Sequence, residues 1–174
     1  MKELVQRLYR TGDLADEELM ALMTREEAEE PLRQLADQVR QLHYRNKVFI
    51  RGLIEISNHC KNNCYYCGIR REKTRLHRYR LTETQILSCC REGYRLGFRT
   101  FVLQGGEDGA HTDAWLCSLL HKIKEEFPDC AVTLSLGERS RKSYEALFQA
   151  GADRYLLRHE TAVKAHYQAL HPNE

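Results

Sequence analysis

The first 47 residues carry apolar positions at helical spacing. From residue 48 onward that pattern gives way to short apolar runs separated by amphipathic stretches. In the leading segment Thr24-x-x-Glu27 reads as a capping box, followed by Leu32, Leu35, Val39 and Leu42 at three- and four-residue steps. The run Val48 to Ile56 predicts a first strand, and a cysteine-rich loop follows it. Thr82-x-x-Gln85 opens a helix that reaches Gly97, and Thr100 to Leu103 is a short buried strand. Thr112 caps a helix running to Phe127, ahead of the Pro128-Asp129 break. Ala131 to Leu136 predicts a third strand and Arg141 to Ala150 a third helix. Arg154 to Leu157 is a fourth strand, and Thr161 to Leu170 starts a fourth helix.

Strands separated by helices of this length form βαβ units, so the fold class is α/β with a parallel sheet. Two regions are expected: an N-terminal helical lead-in over 1–47 and four βα units over 48–174, with no Pro/Gly/Ser-rich linker between them. Four units make half of an eightfold TIM-type barrel. The chain has 174 residues, whereas a complete barrel of that kind typically needs about 250.

Charge narrows the partners only a little. With 27 basic and 25 acidic residues the net charge is +2, which calls for neither nucleic acid nor a membrane surface. No apolar run is long enough to span a bilayer. The charged start MKELVQRLYRTGDLADEEL does not read as a signal peptide, so a cytoplasmic location is expected. Seven cysteines are an odd number, and in a reducing compartment they point to metal rather than to disulfides. Cys89, Cys90, Cys117 and Cys130 lie in apolar patterns with no partner at metal spacing and read as structural. Cys90 shares a helix face with Ile86 and Tyr94.

In α/β sheets the chemistry gathers at the carboxyl ends of the strands. Here those ends read Ser57-Asn58-His59-Cys60, Gln104-Gly105-Gly106-Glu107-Asp108, Ser135-Leu136-Gly137-Glu138 and Arg158-His159-Glu160-Thr161. The sharpest signal is Cys60-x3-Cys64-x2-Cys67. Three thiolates on one loop suit three irons of a cubane 4Fe-4S cluster, with the fourth iron open to a ligand. The alternative is a structural zinc held by the three cysteines with His59 or His77, although no second C-x2-C knuckle exists. Two adjacent glycines either make a tight turn or let backbone approach a ligand closely, with Glu107 ready to pair with an ammonium group. His159-Glu160 begins an H-E-x-x-H pattern that Val163 breaks. Residues 70–80 carry six Lys/Arg, read as a solvated loop, an RNA-binding face or a dock for an acidic electron carrier.

The cysteine spacing, with an aromatic residue before the third cysteine, resembles the radical S-adenosylmethionine (SAM) superfamily. More narrowly, residues 50–172 resemble the N-terminal half of the HydE family of FeFe-hydrogenase maturases. The resemblance rests on IEISNHCKNNCYYCGIRR, LHRYRLT, TFVLQGGED, VTLSLGE and GADRYLLRHET, in that order. Biotin synthase and methylornithine synthase share the spacing but match the later blocks less well. The resemblance implies a 4Fe-4S cluster on Cys60, Cys64 and Cys67, with SAM chelating the open iron. Tyr66 would lie near the adenine, and Gln104, Gly105, Gly106 and Glu107 near the methionine amine. Thr133, Ser135 and Glu138 would line the barrel near SAM and substrate, and Arg158 and Glu160 would act on the substrate. The implied reaction is reductive cleavage of SAM to a 5′-deoxyadenosyl radical for assembly of the hydrogenase active-site cluster. Its implied partners are a one-electron donor such as ferredoxin or flavodoxin and other hydrogenase maturation proteins.

Strands five to eight of that family have no counterpart here, so a truncated or split protein is expected, with a complementary C-terminal half chain as partner. An inward face around Val102, Leu134 and Leu156 is then expected to be open. The alternative function is a non-catalytic iron–sulfur or zinc-binding fragment.

Overall fold

A parallel pair needs residues on both strands, and that requirement sets where the first strand begins. In the computed structural model, which describes residues 1–172, β1 spans Gly52–Ser57 and not the whole run from Val48. Gly52 lies opposite Phe101 and the second strand, β2 (Thr100–Gly105), starts one residue earlier. Val48, Phe49 and Ile50 therefore have no partner strand, and they are 86%, 68% and 67% exposed.

Contacts divide the chain into two compact units, Met1–Phe49 and the remainder from Ile50. The first unit is helical: α1 (Lys2–Thr11), α2 (Asp16–Thr24), a 3-10 turn (Glu26–Ala28) and α3 (Glu29–Tyr44). Val5, Leu22 and Ala28 form its small core, with Leu32 and Leu35 packed against them. The capping box expected at Thr24 is absent. Thr24 is the last residue of α2, and its hydroxyl donates to the Met20 carbonyl one turn back (2.8 Å). Leu42, counted with the apolar stripe, is 74% exposed.

The second unit repeats strand and helix. After β1 come α4 (Glu83–Arg95), β2, α5 (Asp113–Glu126), β3 (Ala131–Ser135), α6 (Arg141–Gln149), β4 (Arg154–Tyr155) and α7 (Lys164–Leu170). The strands form one parallel sheet in the order β1-β2-β3-β4. Caps fix three helix starts. Thr82 and Gln85 form a reciprocal box at α4, Thr112 accepts from the Trp115 N–H at α5, and Ser140 accepts from Ser143 at α6. β4 is shorter than the run Arg154 to Leu157. It pairs with β3 at two positions only, and Leu156 and Leu157 beyond it are about half exposed.

Alternation sorts each strand into two faces. Ile54, Ile56, Phe101, Leu103, Val132 and Leu134 are buried against Ile86 and Cys90 of α4, Leu116, Leu119, Leu120 and Ile123 of α5, and Leu147 of α6. Each fully buried side chain of this size is worth roughly 1.5–3 kcal/mol relative to exposure. The intervening positions, Leu53, Glu55, Val102, Gln104, Thr133 and Ser135, point the other way. This corrects the expected inward face. Leu134 pairs in register with Leu103 and is fully buried on the helix side, whereas Val102 pairs with Thr133.

Candidate functional site

The strand ends open into a cavity of about 340 Å³. Its lining brings together Cys60, Cys64, Tyr66 and Cys67 from the loop after β1, and Gln104, Gly105, Gly106 and Glu107 from the end of β2. Ser135 and Glu138 follow β3, and Arg158 and Glu160 follow β4. Every site residue expected from the sequence is therefore in the lining except Thr133. Thr133 sits two positions deeper in β3 than Ser135, buried in the sheet, with no hydrogen-bond partner for its Oγ1.

The cysteine loop is shaped by backbone bonds and by one close approach. The Lys61 N–H donates to the Glu107 carbonyl (3.0 Å), and the Cys67 N–H closes a turn on the Cys64 carbonyl (3.0 Å). A Cβ on Gly106 would meet the His59 carbonyl and stand 2.6 Å from the Cys60 Cβ. Only glycine lets the end of β2 lie this close to the first cysteine. Gly137, at φ +77°, plays the same part for Glu107, because a Cβ there would collide with the Glu107 side chain.

Glu107 is presented to cations. Its carboxylate accepts from the Glu138 N–H (3.1 Å) and lies 2.9 Å from the Lys61 ammonium, with the side chain 15% exposed. Beneath it Asp108 is buried and fully engaged. It accepts from the Ser57 hydroxyl (2.7 Å), from Arg80 through two nitrogens (2.7 and 2.9 Å) and from the Ala110 N–H (3.1 Å). Burial opposes its charge, but Arg80, Ser57 and Ala110 outweigh burial and hold the carboxyl well below the usual range. Ser57 in turn accepts from the His59 N–H (3.0 Å), so the network ends one residue before Cys60. His111 stacks on Trp115 next to Asp108, and burial lowers its pKa.

Tyr66 lines the cavity with its hydroxyl 2.8 Å from His171 Nε2, and His171 stacks on Tyr167 at 4.0 Å. Burial, with the nearby Cys64 and Glu160 charges, pushes the Tyr66 hydroxyl up. Glu160 is held at φ +58°, a left-handed conformation unusual for a residue with a side chain. Asp108, Ser57 and His171 were not singled out from the sequence. Ser57 and Asp108 had a visible signal there, as polar residues at strand ends, whereas His171 had none.

The donor set fits a cubane. None of the three cysteines is in a disulfide, and all are half-buried on the wall of one cavity. Among the described residues no group of three or more His, Cys, Asp or Glu side chains stands close enough to hold one metal ion. A cubane takes one thiolate per iron, so three thiols on one loop serve three irons and leave the fourth open. The other four thiols do not line this cavity. Cys90 is fully buried, and burial pushes it up to about 12. Cys117 and Cys130 face the carbonyls of Ala146 and Phe98, and Cys89 is exposed.

Sequence comparison places the Radical SAM superfamily signature on residues 54–173. The chain is 44% identical over 144 residues to the [FeFe] hydrogenase maturase subunit HydE of Thermotoga maritima, covering 83% of this chain and 41% of that protein. It is 29% identical over 169 residues to the 3-methylornithine synthase of Methanosarcina acetivorans, covering 95% of this chain and 48% of that protein. The crystal structure of methylornithine synthase (PylB) superposes with a TM-score of 0.84 at 27% identity, over 98% of this chain and 51% of that one. That of HydG, a maturase of the [FeFe]-hydrogenase, gives 0.85 at 21% identity over 99% and 39%, a likeness of fold alone. The chain thus spans about half the length, or less, of the relatives it matches.

Proposed function

The chain belongs to the radical SAM superfamily, and on that premise we propose that it is the cluster- and SAM-binding half of a HydE-type hydrogenase maturase. Members of the superfamily use a 4Fe-4S cluster and SAM. When bound, those groups supply one-electron reductive cleavage of SAM, and the protein supplies position and enclosure. The observation that carries the reading is the meeting of the three thiols with Gly105-Gly106-Glu107 on one cavity wall.

On this reading Cys60, Cys64 and Cys67 hold the cluster. Gly106 brings the end of β2 against the loop, and Gly105 keeps the backbone open beside it. Glu107, which already pairs with the Lys61 ammonium, receives the amine of SAM. Tyr66 offers a ring for the adenine. Gln104, Ser135 and Glu138 border the ligand, and Arg158 and Glu160 reach toward a substrate from the far side. The first half of the barrel is shared by relatives of several names, so the assignment to hydrogenase maturation rests on the 44% identity to HydE. It brings with it a cytoplasmic setting, a ferredoxin- or flavodoxin-type donor, other maturation proteins and a complementary second half of the barrel.

Calorimetric titration of SAM into anaerobically reconstituted protein tests this reading. Losing one charge-assisted contact costs about 1.5–3 kcal/mol, so Glu107→Ala is expected to weaken SAM binding roughly tenfold or more with iron content unchanged. Equal affinity in both proteins would remove Glu107 from the site.

A further inference from the structure

Residues 70–80 hold six Lys/Arg against the single acid Glu72. Such a run usually trails in solvent, but here it is pinned to the cysteine loop. The Arg78 guanidinium donates to the carbonyls of Asn58, Ile69 (2.7 Å) and Arg70 (2.8 Å). The Arg71 N–H donates to the Asn62 carbonyl (2.8 Å), between the first two cysteines. Asn58 locks the returning strand of the loop, donating to the His77 carbonyl (2.9 Å) and accepting from the Tyr79 N–H (2.7 Å). Arg71, Lys73 and Arg75 are left exposed on this fixed plate, and none forms an ion pair with another described residue.

A second cavity, of about 270 Å³, opens on this side, and Cys60, Lys61, Arg71, Arg78 and Arg80 contribute to its wall. Its two acids are already matched, Asp108 by Arg80 and Glu107 by Lys61. Cys60 borders this cavity and the larger one alike. A metal centre on Cys60 is therefore bordered by this basic cavity as well as by the ligand cavity.

We propose that this basic face is the docking surface of an acidic, low-potential one-electron carrier protein, which reduces the cluster from the Cys60 side. The proposal rests on the cubane reading above. At each encounter the carrier is oxidised by one electron and the bound cluster is reduced by one. Fixed positive charge raises the encounter rate with an acidic partner by about 10- to 1,000-fold, an advantage that salt removes. RNA suits the face less well. Within residues 70–80 the one Phe/Tyr/Trp ring, Tyr79, is half-buried with its hydroxyl directed to the Glu55 carbonyl (3.2 Å), so the basic stretch itself offers no exposed ring of that type for base stacking.

The test compares reconstituted wild type with the triple variant Arg71→Glu, Lys73→Glu, Arg75→Glu, following cluster reduction by electron paramagnetic resonance. Reduced ferredoxin is one donor and dithionite the other. The variant is expected to be reduced by ferredoxin at least about tenfold more slowly at low salt, with the gap closing as salt rises. Dithionite should reduce both proteins to the same extent. An unchanged ferredoxin rate overturns the docking surface. Loss of binding to an RNA oligonucleotide with that rate intact assigns the face to RNA and overturns it too. A wild-type protein that holds no iron after reconstitution removes the cluster reading itself, and this proposal with it.

Discussion

The two faces of the four-stranded sheet are made by the same strands, one residue apart, and they differ in nearly every property. The helix side is apolar and closed: Ile56, Phe101, Leu103, Val132 and Leu134 are all fully buried. The cavity side is mixed and half-open, with Glu55, Gln104, Ser135, the strand-end glycines, Leu156 and Leu157 around a cavity of about 340 Å³. Stability is concentrated on the first face and chemistry on the second, and the period-two alternation of a strand keeps them apart. The division holds at the level of individual neighbours, as Leu134 and Ser135 show.

That contrast is sharpest at these two positions. Leu134→Ala opens space in the helix-side core and should cost about 2–5 kcal/mol, read from denaturant unfolding. Gly106→Ala should come next. The added methyl must displace the Cys60 backbone, at about 1–3 kcal/mol for overpacking, and iron loading should fall. Gly109→Ala, with nothing within 4 Å of the new methyl, should leave iron loading unchanged.

Asp108→Asn removes the charge that Arg80 and Ser57 hold. Arg80 is nearly half exposed, so the cost should lie near the lower end of the 1–3 kcal/mol typical of a lost charged hydrogen bond. Because the folded-state pKa of Asp108 is depressed, its contribution is present above the unfolded value of about 3.9. It is lost as pH falls below that value and through the lower folded one. Acid titration of stability should therefore be flatter below about pH 4 in the Asn variant. Ser135→Ala, on the cavity face, removes one buried hydroxyl and no packed carbon beyond Cβ, so it should cost about 1 kcal/mol or less. A cost equal to that of Leu134→Ala would break the assignment of faces.

Much of this was legible in the sequence. Helices α4 and α5 follow from the hydroxyl caps Thr82 and Thr112, and α6 and the parallel βα order from apolar periodicity, whereas the Ser140 cap was not read. That Cys60, Cys64 and Cys67 share one cavity wall was legible because their spacing within one loop is a local property. What failed depends on partners. Val48 to Ile50 are apolar, but β2 does not extend far enough to pair with them. Leu134 was placed on the wrong face because facing is set by register across three strands, which no single apolar run reveals. The Asp108 network joins residues 28 and 51 positions apart in the chain, and spacing carries no trace of that. His171 reaches Tyr66 across 105 positions for the same reason.

The central claim is that the cavity face carries a site-open cubane on one loop. Iron and zinc analysis after anaerobic reconstitution, on wild type and Cys64→Ser side by side, tests it most directly. The account predicts a brown wild-type protein with about four irons per chain and markedly less iron in the variant; a colourless protein holding one zinc, or a Cys64→Ser variant with as much iron as wild type, would contradict it.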